Sequence, residues 1–220
     1  TRSRTQKGAL STLLEREGAQ VIEIPTIRIE YLDNYTELDS AIARISDFDW
    51  IVFTSANTVD VMFDRIASMA LDARVFYGTK VAAIGQITAD SLRSRFIEAD
   101  LVPAQAVSEG LLKEMKHVGL VDSKVLIPGA ETRRDVLVDG LKELGADVET
   151  VIAYRTVNVE GSISRLRQAL EEGVDVATFT SSSTVKGLMG LIDGDGSRLS
   201  GIDVACIGPV TANEARNFGL

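Results

Sequence analysis

The chain of 220 residues is 45% hydrophobic and 25% charged, a composition typical of a globular protein with one large or two small domains, and it excludes disorder and fibres. Its 23 Lys and Arg against 32 Asp and Glu give a net charge of −9, which argues against a nucleic-acid or anionic-membrane surface. The single cysteine, Cys206, and the single histidine, His117, exclude an internal disulfide and a zinc site built of Cys and His. No apolar run has the length of a membrane span and the first residues resemble no secretory signal, so the cytoplasm is the expected compartment.

Short runs rich in Val and Ile alternate with stretches of helical period along the chain. The predicted strands are Val21–Ile24, Trp50–Phe53, Val81–Ile84, Val125–Ile127, Val148–Ile152, Val174–Phe179 and Val204–Ile207. Continuous apolar runs are typical of parallel strands, because helices cover both faces of the sheet, so we expect an α/β fold with parallel sheets. Pro25, Pro128 and Pro209 follow these runs and Pro103 ends the further segment Ala99–Pro103, and at each proline we expect the chain to leave the sheet.

Three pairs of segments repeat along the chain in the same helix and strand context, and they predict an internal duplication. The pairs are residues 53–59 with 179–185, 84–89 with 207–212, and 18–21 with 145–148. Only the second copy has a predicted strand, Lys124–Pro128, before its first helix, and only the first continues through Ala99–Pro103 and a helix at Val107–Met115. We expect the chain to lack a strand at its beginning and a strand and helix at its end, since exposed sheet edges would otherwise remain; unequal divergence of the copies is the alternative.

Ser, Thr and Asn cluster where a predicted strand ends and a helix begins, and glycines stand beside them. Free N–H groups and the positive end of a helix dipole face outward at such positions, so these residues are candidates for an anion site. Ordinary helix capping explains them equally well. The candidate substrate-binding residues are Arg2, Thr54, Ser55, Asn57, Gly85, Thr88, Gly129, Arg133, Ser181, Ser182, Gly208 and Thr211.

Tyr154 follows the predicted strand Val148–Ile152, and the duplication aligns it with Ile27 of the other copy. A polar aromatic residue in one copy only suggests a role at that position, although a half-buried strand tyrosine is the alternative. Arg2, Arg4, Arg133, Arg134 and Arg155 are candidate cations for carboxylates, and each is also compatible with a solvated surface.

Several cofactor motifs are missing. No Gly-x-Gly-x-x-Gly follows a predicted strand and no Walker-type Gly-Lys-Ser/Thr is present, so dinucleotide and NTP binding lack their usual phosphate loops. Asp193–Ser197 begins like a calcium loop, but Arg198 stands where glycine is needed. We expect no cofactor and no metal.

Taken together in their order and spacing, these segments resemble the uroporphyrinogen-III synthase family. The matching residues are Thr1-Arg2 with Gln6, Gly18-Ala19, Pro25, 53–59, Ile84-Gly85 with Thr88-Ala89, Pro103 with 109–111, 140–148, 154–156, 179–181 and 207–209 with Thr211-Ala212. Ser3 departs from the proline that is common there in the family.

The resemblance implies two doubly wound, flavodoxin-like parallel-sheet domains joined by a two-stranded linker. The first domain would be discontinuous and consist of residues 1–25 plus 161–220, and the inserted domain would consist of residues 37–152. The linker strands would be 26–36 and 153–160, and the active site would lie in the cleft between the domains.

The resemblance also implies a cofactor-free lyase of haem biosynthesis that cyclises the linear tetrapyrrole hydroxymethylbilane. Loss of the terminal hydroxyl, assisted by Tyr154, would give an azafulvene. Attack at the substituted carbon of ring D would then give a spiro intermediate, and inversion and closure of ring D would give the type III isomer.

The substrate implied by this resemblance carries eight carboxylates, and a chain of charge −9 repels it at long range. Binding is therefore expected to rely on short-range N–H donors, in a monomer with no nucleic-acid or membrane partner. Two alternatives stay open: a non-catalytic tetrapyrrole-binding or sensing module of the same fold, and a periplasmic-type binding protein, which would need a signal segment.

Overall fold

The computed structural model describes residues 9–132 and 135–220, and the chain divides into two compact units. The terminal unit comprises residues up to Ile29 together with Thr156–Leu220, and the central unit comprises Glu30–Arg155. Two chain segments therefore connect the units, one at residues 29–30 and one at residues 155–156.

Helices and strands alternate along the described residues. The helices are α1 Ala9–Arg16, α2 Thr36–Ala43, α3 Ala56–Ser68, α4 Gln86–Arg93, α5 Ser108–Val118, α6 Val136–Glu143, α7 Ile163–Glu172, α8 Ser182–Leu191 and α9 Pro209–Asn217. The strands are β1 Ile27–Glu30, β2 Trp50–Phe53, β3 Lys80–Ala83, β4 Lys124–Ala130, β5 Asp147–Asn158, β6 Val176–Phe179 and β7 Asp203–Cys206.

The larger sheet has the strand order β1-β5-β4-β2-β3, with parallel pairing of β2 to β3, β2 to β4 and β4 to β5. All four residues of β2 are buried. Trp50 and Val52 lie in the core that α5 and α6 cover, whereas the Phe53 ring is 6.3 Å from that of Phe76. This confirms the expected α/β fold with parallel strands and explains why the strand sequence is apolar without alternation.

The described sheet of the terminal unit consists of β6 and β7, which pair in parallel from Val176 with Asp203 to Phe179 with Cys206. Its core is formed by side chains of α7, α8 and α9 against Phe179 and Leu199. Helix α8 contributes the largest share, with Val185, Leu188 and Met189 among its buried residues.

The prediction of a strand at Val21–Ile24 is wrong, because residues 19–26 form no regular structure and the first described strand begins at Ile27. A β-strand exists only through its hydrogen-bond ladder. The apolar run has no strand partner among the described residues of the terminal unit, where the sheet comprises β6 and β7.

The prediction that Pro128 lies after its strand is also wrong, since β4 runs through to Ala130 and Pro128 pairs in register with Val151. Pairing of β4 with β2 is confined to Val125 and Leu126, so the other edge of β4 needs no backbone donor at position 128. Strand β5 likewise continues to Asn158, which places Tyr154 inside the strand.

Candidate functional site

The candidate residues of the central unit lie at the carboxyl edge of its parallel sheet. Strand β2 ends at Phe53 and α3 begins at Ala56, with Thr54 and Ser55 between them, and β3 leads in the same way through Gly85 into α4. Parallel strands bring such junctions to one edge, where ligands of open α/β sheets bind. The sequence therefore placed these residues correctly at strand-to-helix junctions.

Ser55 is the N-cap of α3, and its side chain accepts a hydrogen bond from the Thr58 backbone N–H at 3.1 Å. The Ser55 hydroxyl also lies 3.2 Å from the Tyr154 hydroxyl and 2.9 Å from the Thr58 hydroxyl. Ser55 therefore caps α3 and in addition contacts the hydroxyls of Tyr154 and Thr58. The cap brings together a phenol and two aliphatic hydroxyls at the positive end of a helix dipole.

Tyr154 reaches this position because β5 is separated from β2 by β4 alone. Tyr154 pairs with Ala130 directly after a register shift at Gly129, and its ring is almost entirely buried. A Cβ at Gly129 would lie 3.9 Å from the Thr54 hydroxyl oxygen, so the end of β4 also adjoins this junction. The structure thus brings Thr54, Ser55, Gly129 and Tyr154 together.

The N-cap residue of helix α4 is Gly85, which has no side chain to cap the helix. Its extended backbone is open to any residue type, but a Cβ there would lie 2.5 Å from that of Ala106. Close packing of Ala106 is therefore a steric reason for glycine at this position, and the approach of a ligand to its backbone stays a prediction. Thr88 follows in the first turn and is 4% exposed.

The terminal unit has a similar pair of junctions. Ser181 caps α8 and forms a capping box with Thr184, and the Ser182 hydroxyl donates to the Val210 carbonyl at 3.4 Å. Helix α9 starts after Gly208, again without a side-chain cap. The structure thus brings together the starts of α8 and α9, with Thr211 in the first turn of α9 and 4% exposed.

Matching residues of the two copies have nearly the same backbone geometry. The φ and ψ angles are −163° and 155° at Ser55 and −166° and 160° at Ser181, and −176° and 175° at Gly85 and −174° and 175° at Gly208. Gly18 and Gly145 both have φ of 90°. This agreement supports the duplication inferred from sequence alone.

Thr88 and Thr211 are not helix caps, because the residues at the cap positions are Gly85 and Gly208. Neither threonine hydroxyl has a hydrogen-bond partner in the described parts of the chain, and no fully buried polar side-chain atom there lacks one. Both hydroxyls therefore keep contact with solvent although their side chains are almost buried. The hydroxyl in the first turn of each helix, α4 and α9, therefore remains available to a ligand.

Of the five candidate cations, Arg155 is the one that falls within the described residues. Arg2, Arg4, Arg133 and Arg134 lie outside the described residues. Arg155 lies beside Tyr154 in sequence, but its Nε donates to Glu131 at 3.1 Å in an exposed ion pair. Asn57 is exposed on the first turn of α3.

Thr58 and Thr184 are buried site neighbours that the sequence analysis did not single out. The signal was present in the repeated Ser-x-x-Thr spacing, in which the fourth residue reaches back to the cap. In the residues that the structure describes, no group of three or more His, Cys, Asp or Glu side chains could hold a metal ion. Nor does any described helix have the length and apolarity needed to cross a bilayer.

The family described as uroporphyrinogen-III synthase HemD matches residues 8–220. The chain belongs to the uroporphyrinogen-III synthase family. It is 32% identical to the uroporphyrinogen-III synthase of Synechococcus elongatus over 96% of this chain and 82% of the relative, and 28% identical to a putative uroporphyrinogen-III synthase of Methanocaldococcus jannaschii over 100% of this chain and 88% of that relative.

Solved structures support the same fold. A mutant uroporphyrinogen III synthase from Thermus thermophilus matches with a TM-score of 0.69 at 21% identity, covering 96% of this chain and 85% of that one. The uroporphyrinogen-III synthetase of Helicobacter pylori matches with a TM-score of 0.59 at 19% identity, covering 88% of this chain and 81% of that one.

Proposed function

We infer that the protein is a uroporphyrinogen-III synthase, the cyclising lyase that converts hydroxymethylbilane to uroporphyrinogen III in porphyrin biosynthesis. The observation that carries this conclusion is the family match through residues 8–220. No observation favours the non-catalytic module or the periplasmic-type binding protein that the sequence left open.

We propose that the substrate carboxylates bind at the helix starts named above. The starts of α4 and α9 have no side-chain cap, so backbone N–H groups in their first turns remain available to an anion. The Thr88 and Thr211 hydroxyls add a neutral donor to each. Short-range donors of this kind suit a substrate that the net charge of −9 repels at long range.

Tyr154 is the proposed general acid. Its phenol gives a proton to the terminal hydroxyl of the substrate, the carbon–oxygen bond breaks, and water departs. The pyrrole N–H of the same ring loses its proton, which restores the phenol, and a neutral azafulvene remains. The electrophilic carbon is then attacked by the substituted carbon of ring D, which gives a spiro intermediate. The bond from that carbon to the methylene bridge of ring C breaks, the freed methylene carbon bonds to the unsubstituted α-carbon of ring D, and loss of the proton from that carbon completes the type III macrocycle with ring D inverted. Positioning of ring D is the essential task of the enzyme, because spontaneous closure gives the type I isomer.

We propose that the enzyme works as a cytoplasmic monomer without cofactor or metal and without a nucleic-acid or membrane partner. The segments 26–36 and 153–160 are proposed to link a discontinuous domain of 1–25 plus 161–220 to the inserted domain 37–152. The acidic net charge supports the exclusion of nucleic acid.

The test is to incubate the protein with freshly generated hydroxymethylbilane, oxidise the products and separate the type III and type I isomers. We expect predominantly type III, with type I alone in a control without enzyme. A product ratio equal to that of the control would contradict the assignment.

A further inference from the structure

Three hydroxyl groups form a chain at the start of α3. The Thr58 hydroxyl lies 2.9 Å from that of Ser55, which lies 3.2 Å from that of Tyr154. The Thr58 backbone N–H donates to the same Ser55 oxygen at 3.1 Å. Ser55 therefore stands between a buried threonine and the tyrosine proposed as the general acid.

The buried end of the chain determines its direction. Thr58 is 0% exposed, and the Ser55 oxygen is the partner of its hydroxyl within residues 9–132 and 135–220. A buried hydroxyl proton without an acceptor is costly, whereas an unused lone pair costs less. The Thr58 hydroxyl therefore donates to Ser55.

Two hydrogen bonds from Thr58 then occupy both acceptor positions of the Ser55 oxygen. Tyr154 has no lone pair left on Ser55 to which it could donate, so the remaining Ser55 proton points to the phenol oxygen. The phenol accepts from Ser55 and keeps its own proton for another partner. At 3.2 Å this contact is long for a hydrogen bond between hydroxyls, so it restrains the position of the phenol oxygen only weakly.

We propose that Thr58 is a positioning residue that, through Ser55, directs the phenol proton of Tyr154 away from the protein and toward the departing hydroxyl of the substrate. The last step rests on the proposed function, but the direction of the hydroxyl chain does not.

The described residues of the other copy do not form this chain of hydroxyls. The Thr184 hydroxyl donates to the Ser181 backbone carbonyl at 2.6 Å, and the Ser181 hydroxyl lies 2.9 Å from that of Ser183. The position that matches Tyr154 is Ile27, which has no hydroxyl. The hydroxyl chain is therefore a property of the copy that carries the tyrosine.

The direction can be measured without substrate by isotope-edited infrared spectroscopy of protein labelled with tyrosine that carries ¹³C at the phenol carbon. The phenol C–O stretch lies at lower wavenumber when the oxygen accepts a hydrogen bond and at higher wavenumber when the O–H donates. Tyr154→Phe assigns the band. We expect Thr58→Val to move it to higher wavenumber, because Ser55 regains a free lone pair, and Thr58→Ser to leave it in place. Thr58→Ala serves if the valine variant does not fold.

Steady-state kinetics test the consequence. Thr58→Val is expected to lower kcat for type III formation about 10-fold with little change in KM, and Thr58→Ser to restore it. Thr79→Val is the matched control, because it removes a buried hydroxyl that donates to the Ile45 carbonyl at 2.8 Å elsewhere in the central unit. It should reduce stability and leave kcat per folded molecule unchanged.

An unchanged Tyr154 band in both Thr58→Val and Thr58→Ala would overturn the proposed hydroxyl chain. A shifted band with kcat equal to that of Thr79→Val would overturn its role in the reaction. A wild-type protein without synthase activity would refute the proposed function, and the infrared band would still decide the direction of the chain.

Discussion

Gly187 lies so close to Thr26 that a Cβ at position 187 would stand 2.9 Å from the Thr26 hydroxyl oxygen and 2.8 Å from a methyl carbon of Ile27. The Thr26 hydroxyl is buried and donates to the Thr184 carbonyl at 3.3 Å. The segment that enters β1 is thereby held against α8 within the terminal unit.

We expect Gly187→Ala to destabilise the protein by about 1–2 kcal/mol, because the added methyl group must displace Thr26 or Ile27. The gain in helix propensity, up to about 1 kcal/mol, offsets only part of this cost. Gly161→Ala is the control in the same unit, since a Cβ there meets nothing within 4 Å among the residues that the structure describes. Urea unfolding of the two variants measures the difference, and an alanine at 187 that stabilises the protein would refute the packing argument.

Tyr154→Phe is expected to slow type III formation by about 100-fold to 10,000-fold, the usual contribution of a general acid. The ring and its packing remain, and the loss of one long hydrogen bond to Ser55 should change the free energy of unfolding by about 1 kcal/mol or less. Isomer analysis and thermal melts check both parts. If the phenylalanine variant keeps most of the wild-type rate and only Tyr154→Ala is impaired, the tyrosine acts through its shape.

Thr88→Val and Thr211→Val should each raise KM about 10-fold with little change in stability. Neither hydroxyl caps its helix, so the variants remove a donor to the substrate and no internal hydrogen bond. Thr178→Val, at an exposed position within β6, is the control. Equal losses of stability and activity in the first two variants would instead indicate a structural role.

The Arg74 side chain and backbone N–H donate to Asp72, and these hydrogen bonds lower the pKa of that carboxyl to about 2. A lowered folded-state pKa stabilises the protein above the ordinary value of about 4, and this stabilisation is lost as the pH falls toward 2. Wild type should therefore lose thermal stability more steeply over this interval than Asp72→Asn. The test is to measure the melting temperatures of both proteins at intervals of about one pH unit between about pH 2 and pH 7. Parallel curves of melting temperature against pH would contradict the prediction.

Local patterns in the sequence predicted much of the fold. The buried runs at Trp50–Phe53 and Val125–Ile127 specify parallel strands, because each must be apolar on both faces. The run at Val21–Ile24 is also mainly apolar, although it contains Glu23, yet its structure depends on a pairing partner that its own residues do not encode.

In the candidate site, too, some features follow from consecutive residues and others depend on the folded sheet. The junctions at Ser55 and Ser181 were predictable, because strand end, cap and helix start are consecutive in sequence. The contact between Ser55 and Tyr154 joins residues 99 positions apart. It depends on strand order and on the register shift at Gly129, which only the folded sheet determines.

The contact between positions 85 and 106 also constrains how relatives of this protein can diverge. An alanine at 85 needs a smaller neighbour at 106, so the two positions should covary, and even glycine at 106 would leave its Cα 3.4 Å from the new methyl group. A Cβ at position 208 would meet no atom of residues 9–132 or 135–220 within 4 Å, apart from its own chain neighbours. A steric constraint on the glycine at the helix start therefore applies to α4 and does not apply to α9.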